Sequence, residues 1–137
     1  MLLSVRPDSP VPIYEQIAAQ VVFGVAAGDP PPGGLVPSVR DLAQRLLVNP
    51  NTVARAYQDL ERLGVLATKR GRGMEVTARA PALCDVRRRE IIRDRIREAV
   101  REAAGAGLTA DDVAELVEEE WAKLNGRGRR RGREDRA

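Results

Sequence analysis

Apolar positions recur along this chain at helical spacing, then switch to alternation, then return to helical spacing, and the changes mark its elements. Ile13, Ile17, Val21 and Val25 follow one another at i+4 with Tyr14 beside them, which predicts one face of a helix opened by Pro12 and closed by Gly28. Asp29-Pro30-Pro31-Pro32-Gly33-Gly34 cannot continue it, because proline lacks the N–H and fixes φ, so a turn follows, with Leu35-Val36 as a candidate short strand. Helical spacing resumes in Val39, Leu42, Ala43 and Leu46 behind a Ser38 cap, with Asp41 as a weak form of the capping-box acid. Leu47 and Val48 alone separate this helix from the next, which begins at an Asn49 cap with Pro50 in the first turn, where its missing N–H costs nothing. Val53, Ala56, Tyr57, Leu60 and Leu63 form the inward stripe of that helix, and Gly64 supplies the left-handed residue that ends it. Two helices joined so tightly must cross steeply, which predicts a helix-turn-helix.

After Gly64 the period becomes two. Val65-Leu66-Ala67-Thr68 and Met74-Glu75-Val76-Thr77 flank Lys69-Arg70-Gly71-Arg72-Gly73, a glycine-bearing turn loaded with cations, so the segment predicts a β-hairpin with a basic tip, a wing. From about Leu83 helical spacing returns. Ile92, Ile96, Ala99, Val100 and Ala103 make one stripe, Gly105-Ala106-Gly107 breaks it, and Thr109 with Asp112 starts a last helix marked by Val113, Leu116, Val117, Trp121 and Leu124. The predicted fold is mostly α with a small β-hairpin. An arm (1–10) precedes a winged helix-turn-helix (11–79), then a helical dimerisation or effector segment (80–124), then a Gly- and Arg-rich tail (125–137) expected to be disordered.

The inward stripe of the third helix leaves Asn51, Thr52 and Arg55 facing outward near its start. These side chains suit base edges: Asn can bridge N6 and N7 of adenine, Arg the O6 and N7 of guanine, and Thr can touch a thymine methyl or a phosphate. The two C-terminal helices, each apolar on one side, carry more apolar surface than a hairpin can hide. A twofold copy would cover it, so Ile92, Ile96, Val100, Val113, Leu116, Val117 and Trp121 are the expected dimerisation residues.

Charge sharpens this picture through its unevenness. The 137 residues sum to +3. Residues 1–80 hold nine basic and seven acidic groups, residues 81–124 eight and eleven, and residues 125–137 six and two. The acidic middle is a poor surface for nucleic acid, and the front domain and the tail are the better ones. A single cysteine, Cys84, excludes an internal disulfide and a cysteine metal cluster, fits a reducing cytosol, and reads as a small buried apolar residue. Met1-Leu2-Leu3 lacks the basic and apolar regions of a signal peptide and no run reaches spanning length, so a cytoplasmic, non-membrane protein is expected. Enzyme chemistry has little to work with: there is no His, and no glycine loop ends in Lys-Ser or Lys-Thr. No metal and no cofactor are expected, and Glu118-Glu119-Glu120 point in different directions on a helix.

Leu35-Val36-Pro37-Ser38-Val39-Arg40-Asp41-Leu42-Ala43, followed by Val48 through Tyr57 and then Arg70-Gly71-Arg72-Gly73, resembles the winged helix-turn-helix of GntR-family bacterial transcription regulators. The short C-terminal part is similar to that of the YtrA-like subfamily, whose appendage mainly dimerises. The resemblance implies DNA contacts residue by residue. Ser38 and Arg40 would hold the duplex, Asn49, Asn51, Thr52 and Arg55 would face the major groove, and Arg70 and Gly71 would bring the wing to the minor groove or its backbone, with Lys69 and Arg72 as neighbours. The chain departs from the family pattern at four positions. Leu47 replaces the usual turn glycine, at a cost on the order of 1 kcal/mol if the left-handed backbone is kept. Glu75 replaces an aromatic in the second wing strand, and Pro30 and Pro31 thicken a turn that normally has one proline.

The bland readings apply elsewhere. Arg45 and Arg62 read as solvated, Arg87-Arg88-Arg89 as partners in i+4 ion pairs with the acids that follow, and Trp121 as core or dimer seam. The function expected is a dimeric, sequence-specific DNA-binding repressor on an inverted-repeat operator, with double-stranded DNA and a second copy as partners. The alternative is a protein-interaction adaptor on a degenerate winged-helix scaffold. A small-molecule effector stays open, because the terminal segment is too small for an enclosed pocket, though the dimer seam could form one.

Overall fold

In the computed structural model, which describes residues 1–134 and the side chains of residues 1–126, the elements run α1 (Ile13–Ala26), α2 (Val39–Leu46), α3 (Pro50–Arg62), β1 (Leu66–Lys69), β2 (Gly73–Val76), α4 (Ala80–Gly105) and α5 (Ala110–Glu134). The first compact unit is Met1–Ile92, and the second begins at Arg93. The boundary expected after residue 79 thus falls later, because the start of α4 is part of the first core: Ala80 and Cys84 are fully buried, with Leu83 and Ile91 packed beside them.

One hydrogen-bond pattern closes four helices. After α1 the Gly28 N–H donates to Val25 O and the Asp29 N–H to Gly24 O, and the same pair of bonds recurs after α2, α3 and α4. Such a closure needs a left-handed residue just past the helix. Three of the four positions are glycines with positive φ, Gly28, Gly64 and Gly107, and the fourth is Leu47 at φ 56°, ψ 46°. The left-handed turn suspected from the sequence is therefore kept without glycine. Leu47 gains no burial for it, being 91% exposed.

The helix starts follow the sequence too. Ser38 Oγ accepts from the Asp41 N–H at 3.1 Å, and Asn49 Oδ1 accepts from the Asn51 N–H at 2.8 Å. At α5 the capping box is complete: Thr109 Oγ1 accepts from the Asp112 N–H and the Asp112 carboxylate accepts from the Thr109 N–H at 2.8 Å, which holds that carboxyl below its usual range. Helix α4 starts at Ala80 rather than near Leu83, since Pro81 lies in the first turn, where no N–H is required.

The core of the first unit joins Ile17, Val21, Val22 and Val25 of α1 to Leu42 and Ala43 of α2, Val53, Ala56, Tyr57 and Leu60 of α3, and Val65, Leu66 and Val76 of the wing. Leu63, expected on the inward stripe of α3, is instead 47% exposed at its C-cap. The wing strands pair antiparallel, Leu66 with Val76 and Lys69 with Gly73, one residue closer to the turn than alternation predicts. Val65 is displaced from the strand because its N–H completes the closure of α3 on Leu60 O at 2.9 Å. Leu35 adds a single bridge to Glu75, and Val36 N–H donates to Met74 O, so the candidate strand there is one bridge long. Glu75, at the position where the family pattern has an aromatic, is half-buried beside that bridge.

The N-terminal arm is docked. Met1, Leu3 and Val5 alternate inward onto the core, and Gln16 and Gln20 of α1 exchange hydrogen bonds with the backbone of Arg6 and Ser4. In the second unit the apolar stripe has almost nothing to pack on. Ile96 is 58% and Trp121 65% exposed, and Val113 is half-buried. Four of the arginines of α4 pair with acids, at i,i+3 instead of the expected i+4: Arg87 with the following Glu90, and Arg88, Arg97 and Arg101 with the preceding Asp85, Asp94 and Glu98, while Arg89 forms no ion pair among the described residues. The backbone of α5 continues through Glu134, past the boundary expected after Leu124. The end of the expected tail, residues 135–137, lies outside the described residues.

Candidate nucleic-acid interface

Helix α3 buries Val53, Ala56, Tyr57 and Leu60, and this fixes what faces away. At 3.6 residues per turn, Asn51 and Arg55 lie opposite that stripe and are exposed, whereas Thr52 falls on its flank and is half-buried. Gln58 shares the outer face one turn beyond Arg55 and is also exposed, a position that the residue-type reading did not single out. Asn49 spends its side-chain oxygen on the cap, which leaves its NH2 as the group able to donate outward. Ser38 is likewise a cap, and its hydroxyl proton stays available to an acceptor such as a phosphate oxygen.

Helix α2 meets α3 across the Leu47-Val48 turn, so Ser38 and Arg40 stand on the first turn of a neighbouring helix. Tyr57 secures the arrangement. Its hydroxyl donates to the Pro37 carbonyl at 2.6 Å, and burial pushes its phenol well above the usual tyrosine range.

At the wing tip Arg72 N–H donates to Lys69 O across Arg70 and Gly71, and Gly71 takes φ 78°, so the third turn position needs a left-handed residue. A Cβ there would meet no atom within 4 Å, so backbone conformation and not crowding calls for glycine. The turn carries Lys69, Arg70 and Arg72 exposed in one short loop.

The cations of this surface are not neutralised by carboxylates. Arg40, Arg55, Lys69, Arg70 and Arg72 form no ion pair among the described residues, while Arg62 pairs with Asp59 at 2.8 Å and four arginines of α4 pair with their own acids. Arg55 instead lies over the Tyr14 ring of α1, its guanidinium carbon 3.7 Å from the ring centroid. Unneutralised cations on capped helix starts and a basic turn are suited to phosphates, and the outward Asn51 and Arg55 to base edges. Among the described residues no group of His, Cys, Asp and Glu could hold a metal ion, and no helix is long and apolar enough to cross a membrane.

A three-helix core with a helix-turn-helix and a β-hairpin behind it defines a winged helix-turn-helix DNA-binding protein. Residues 13–76 match the family described as bacterial regulatory proteins, gntR family. The chain is 34% identical over 125 residues to the HTH-type transcriptional repressor YtrA of Bacillus subtilis, an alignment covering 91% of this chain and 96% of that one. A GntR-family transcriptional regulator from Listeria monocytogenes superposes with a TM-score of 0.64 at 29% identity, over 82% of this chain and 97% of that one. AraR(DBD) in complex with operator ORX1 superposes with a TM-score of 0.50 at 26% identity, over 56% of this chain and 96% of that one. The protein belongs to the GntR family and is a DNA-binding transcriptional regulator. Its relatives are regulators and not enzymes.

Proposed function

We propose that the protein is a cytoplasmic repressor that binds an inverted-repeat operator as a homodimer. Each copy inserts the start of α3 into one major groove, with Asn51, Thr52 and Arg55 toward base edges and Asn49 alongside. Ser38 and Arg40 hold the backbone, and Arg70 and Gly71 lay the wing beside it. The observation that carries this reading is the placement of exposed cations at Arg40, Arg55 and the wing, on the two helices of the helix-turn-helix and the hairpin tip, with none of them in an ion pair among the described residues.

The second copy docks through Ile92, Ile96, Val100, Val113, Leu116, Val117 and Trp121. Six of these seven are more than two-fifths exposed in the single chain, a run of large apolar side chains that a monomeric soluble protein rarely leaves to water. A small-molecule effector, where one acts, binds at that seam.

Selection of duplexes from a randomised library, followed by footprinting, tests the reading. The expected product is a palindrome protected on both half-sites, by a species with twice the chain mass in sedimentation. Recovery of no common sequence, or of a single asymmetric half-site bound by one chain, would overturn it.

A further inference from the structure

Arg55 is held in a way that no other described arginine on α3 is held. Arg62, on the same outer face, is tied to a carboxylate, whereas Arg55 rests on an aromatic face contributed by a different helix. The five N–H donors of a guanidinium lie in its plane, so a ring beneath the plane occupies none of them. A guanidinium carbon 3.7 Å above the ring centre is in contact through its face, an arrangement that restrains the tilt of the group while spending none of its N–H donors on the ring. A guanine presents O6 and N7 in one plane and rewards a donor pair already lying in that plane. Tyr14 is well placed to be such a platform. It is the second residue of α1, one turn before the fully buried Ile17, on the helix that packs most extensively against α3. Its hydroxyl donates to Glu15 Oε1 at 3.2 Å, which engages the carboxylate closest in sequence.

We propose that Tyr14 is a positioning residue for base recognition: its ring holds the Arg55 guanidinium in a fixed plane with the N–H edge turned to the base pair. This extends the reading face beyond the helix-turn-helix to the first helix, and it rests on the reading that Arg55 contacts a base. An arginine side chain that is ordered before binding loses less freedom on binding. The effect falls on the one base pair Arg55 reads, not on the affinity for DNA at large.

The test uses the full chain and a duplex selected by the wild-type protein, with each base pair substituted in turn at fixed salt. Arg55→Ala identifies the base pair at which preference is lost. Tyr14→Leu is expected to lower discrimination at that same pair by about two- to fivefold, while binding to an unrelated duplex is unchanged. Tyr14→Phe keeps the ring and retains full discrimination. In the Arg55→Ala background, Tyr14→Leu has no further effect. An NMR measurement that does not depend on variant folding accompanies these: the Arg55 side-chain protons are expected to show a ring-current shift in the free protein and to keep it in the complex. If Arg55→Ala changes no base preference, the underlying reading fails. If Arg55→Ala does and Tyr14→Leu does not, or Tyr14→Leu weakens all duplexes equally, or the shift vanishes on binding, the positioning role is overturned.

Discussion

The Tyr57 hydroxyl donates to the Pro37 carbonyl oxygen at 2.6 Å, and this bond ties the middle of α3 to the residue immediately before the Ser38 cap of α2. Tyr57 is 2% exposed, so its hydroxyl has no water to fall back on. Tyr57→Phe keeps the ring but leaves a half-buried carbonyl without that donor. The expected loss is about 1–2 kcal/mol of unfolding free energy, read from urea denaturation midpoints. Unchanged midpoints would show that the two recognition helices are locked by packing alone.

Leu47 occupies a helix closure whose three counterparts are glycines. Replacing it by glycine relieves the left-handed strain, loses almost no burial, and adds some freedom to the unfolded chain. The balance favours Leu47→Gly by roughly 0.5–1 kcal/mol. Thermal unfolding should shift upward by a few degrees, and a downward shift would mean that the exposed leucine makes a stabilising contact.

Arg55 and Arg70 should fail differently. Arg55→Ala is expected to weaken binding to the selected operator by about 1–3 kcal/mol and to relax one base position, whereas Arg70→Ala weakens all duplexes alike and lowers the salt dependence by about one counterion. Titrations at several salt concentrations separate the two. An equal loss on every duplex for Arg55→Ala would remove it from the reading face.

Burial pushes the Cys84 thiol from 9.0 up to about 11, and the Tyr57 phenol rises for the same reason. Both groups bind their protons more tightly folded than unfolded, so their contribution is fully present below the unfolded pKa and is lost as pH rises through the folded one. Stability should therefore hold through neutral pH and decline above about pH 9. Cys84→Ala should flatten the first part of that decline, and the native thiol should resist thiol reagents at neutral pH. Asp112 acts at the other end. Its lowered pKa makes the α5 capping box a contribution that is present above the ordinary value of 3.8 and is lost in acid, visible as a loss of helix circular dichroism.

What the residues alone determined here is what depends on neighbours close in the chain. Ser38, Asn49 and Thr109 start helices because their side-chain oxygens reach amides two or three residues on, and Gly28, Gly64 and Gly107 end them because they accept a left-handed backbone. The helical stripe of α3 likewise fixed Asn51 and Arg55 as outward. Tertiary structure decided what depends on distant neighbours. Sequence periodicity carries no sign that Tyr14 lies under Arg55, since 40 residues separate them and only the packing of α1 on α3 brings them together. The inward alternation of Met1, Leu3 and Val5 was present in the residues but lay in a stretch with prolines and charge, and it acquires meaning only beside Gln16 and Gln20. The start of α4 joins the first core for the same reason: burial of Ala80 and Cys84 is set by the surfaces that close over them, and no local preference of the chain encodes those surfaces.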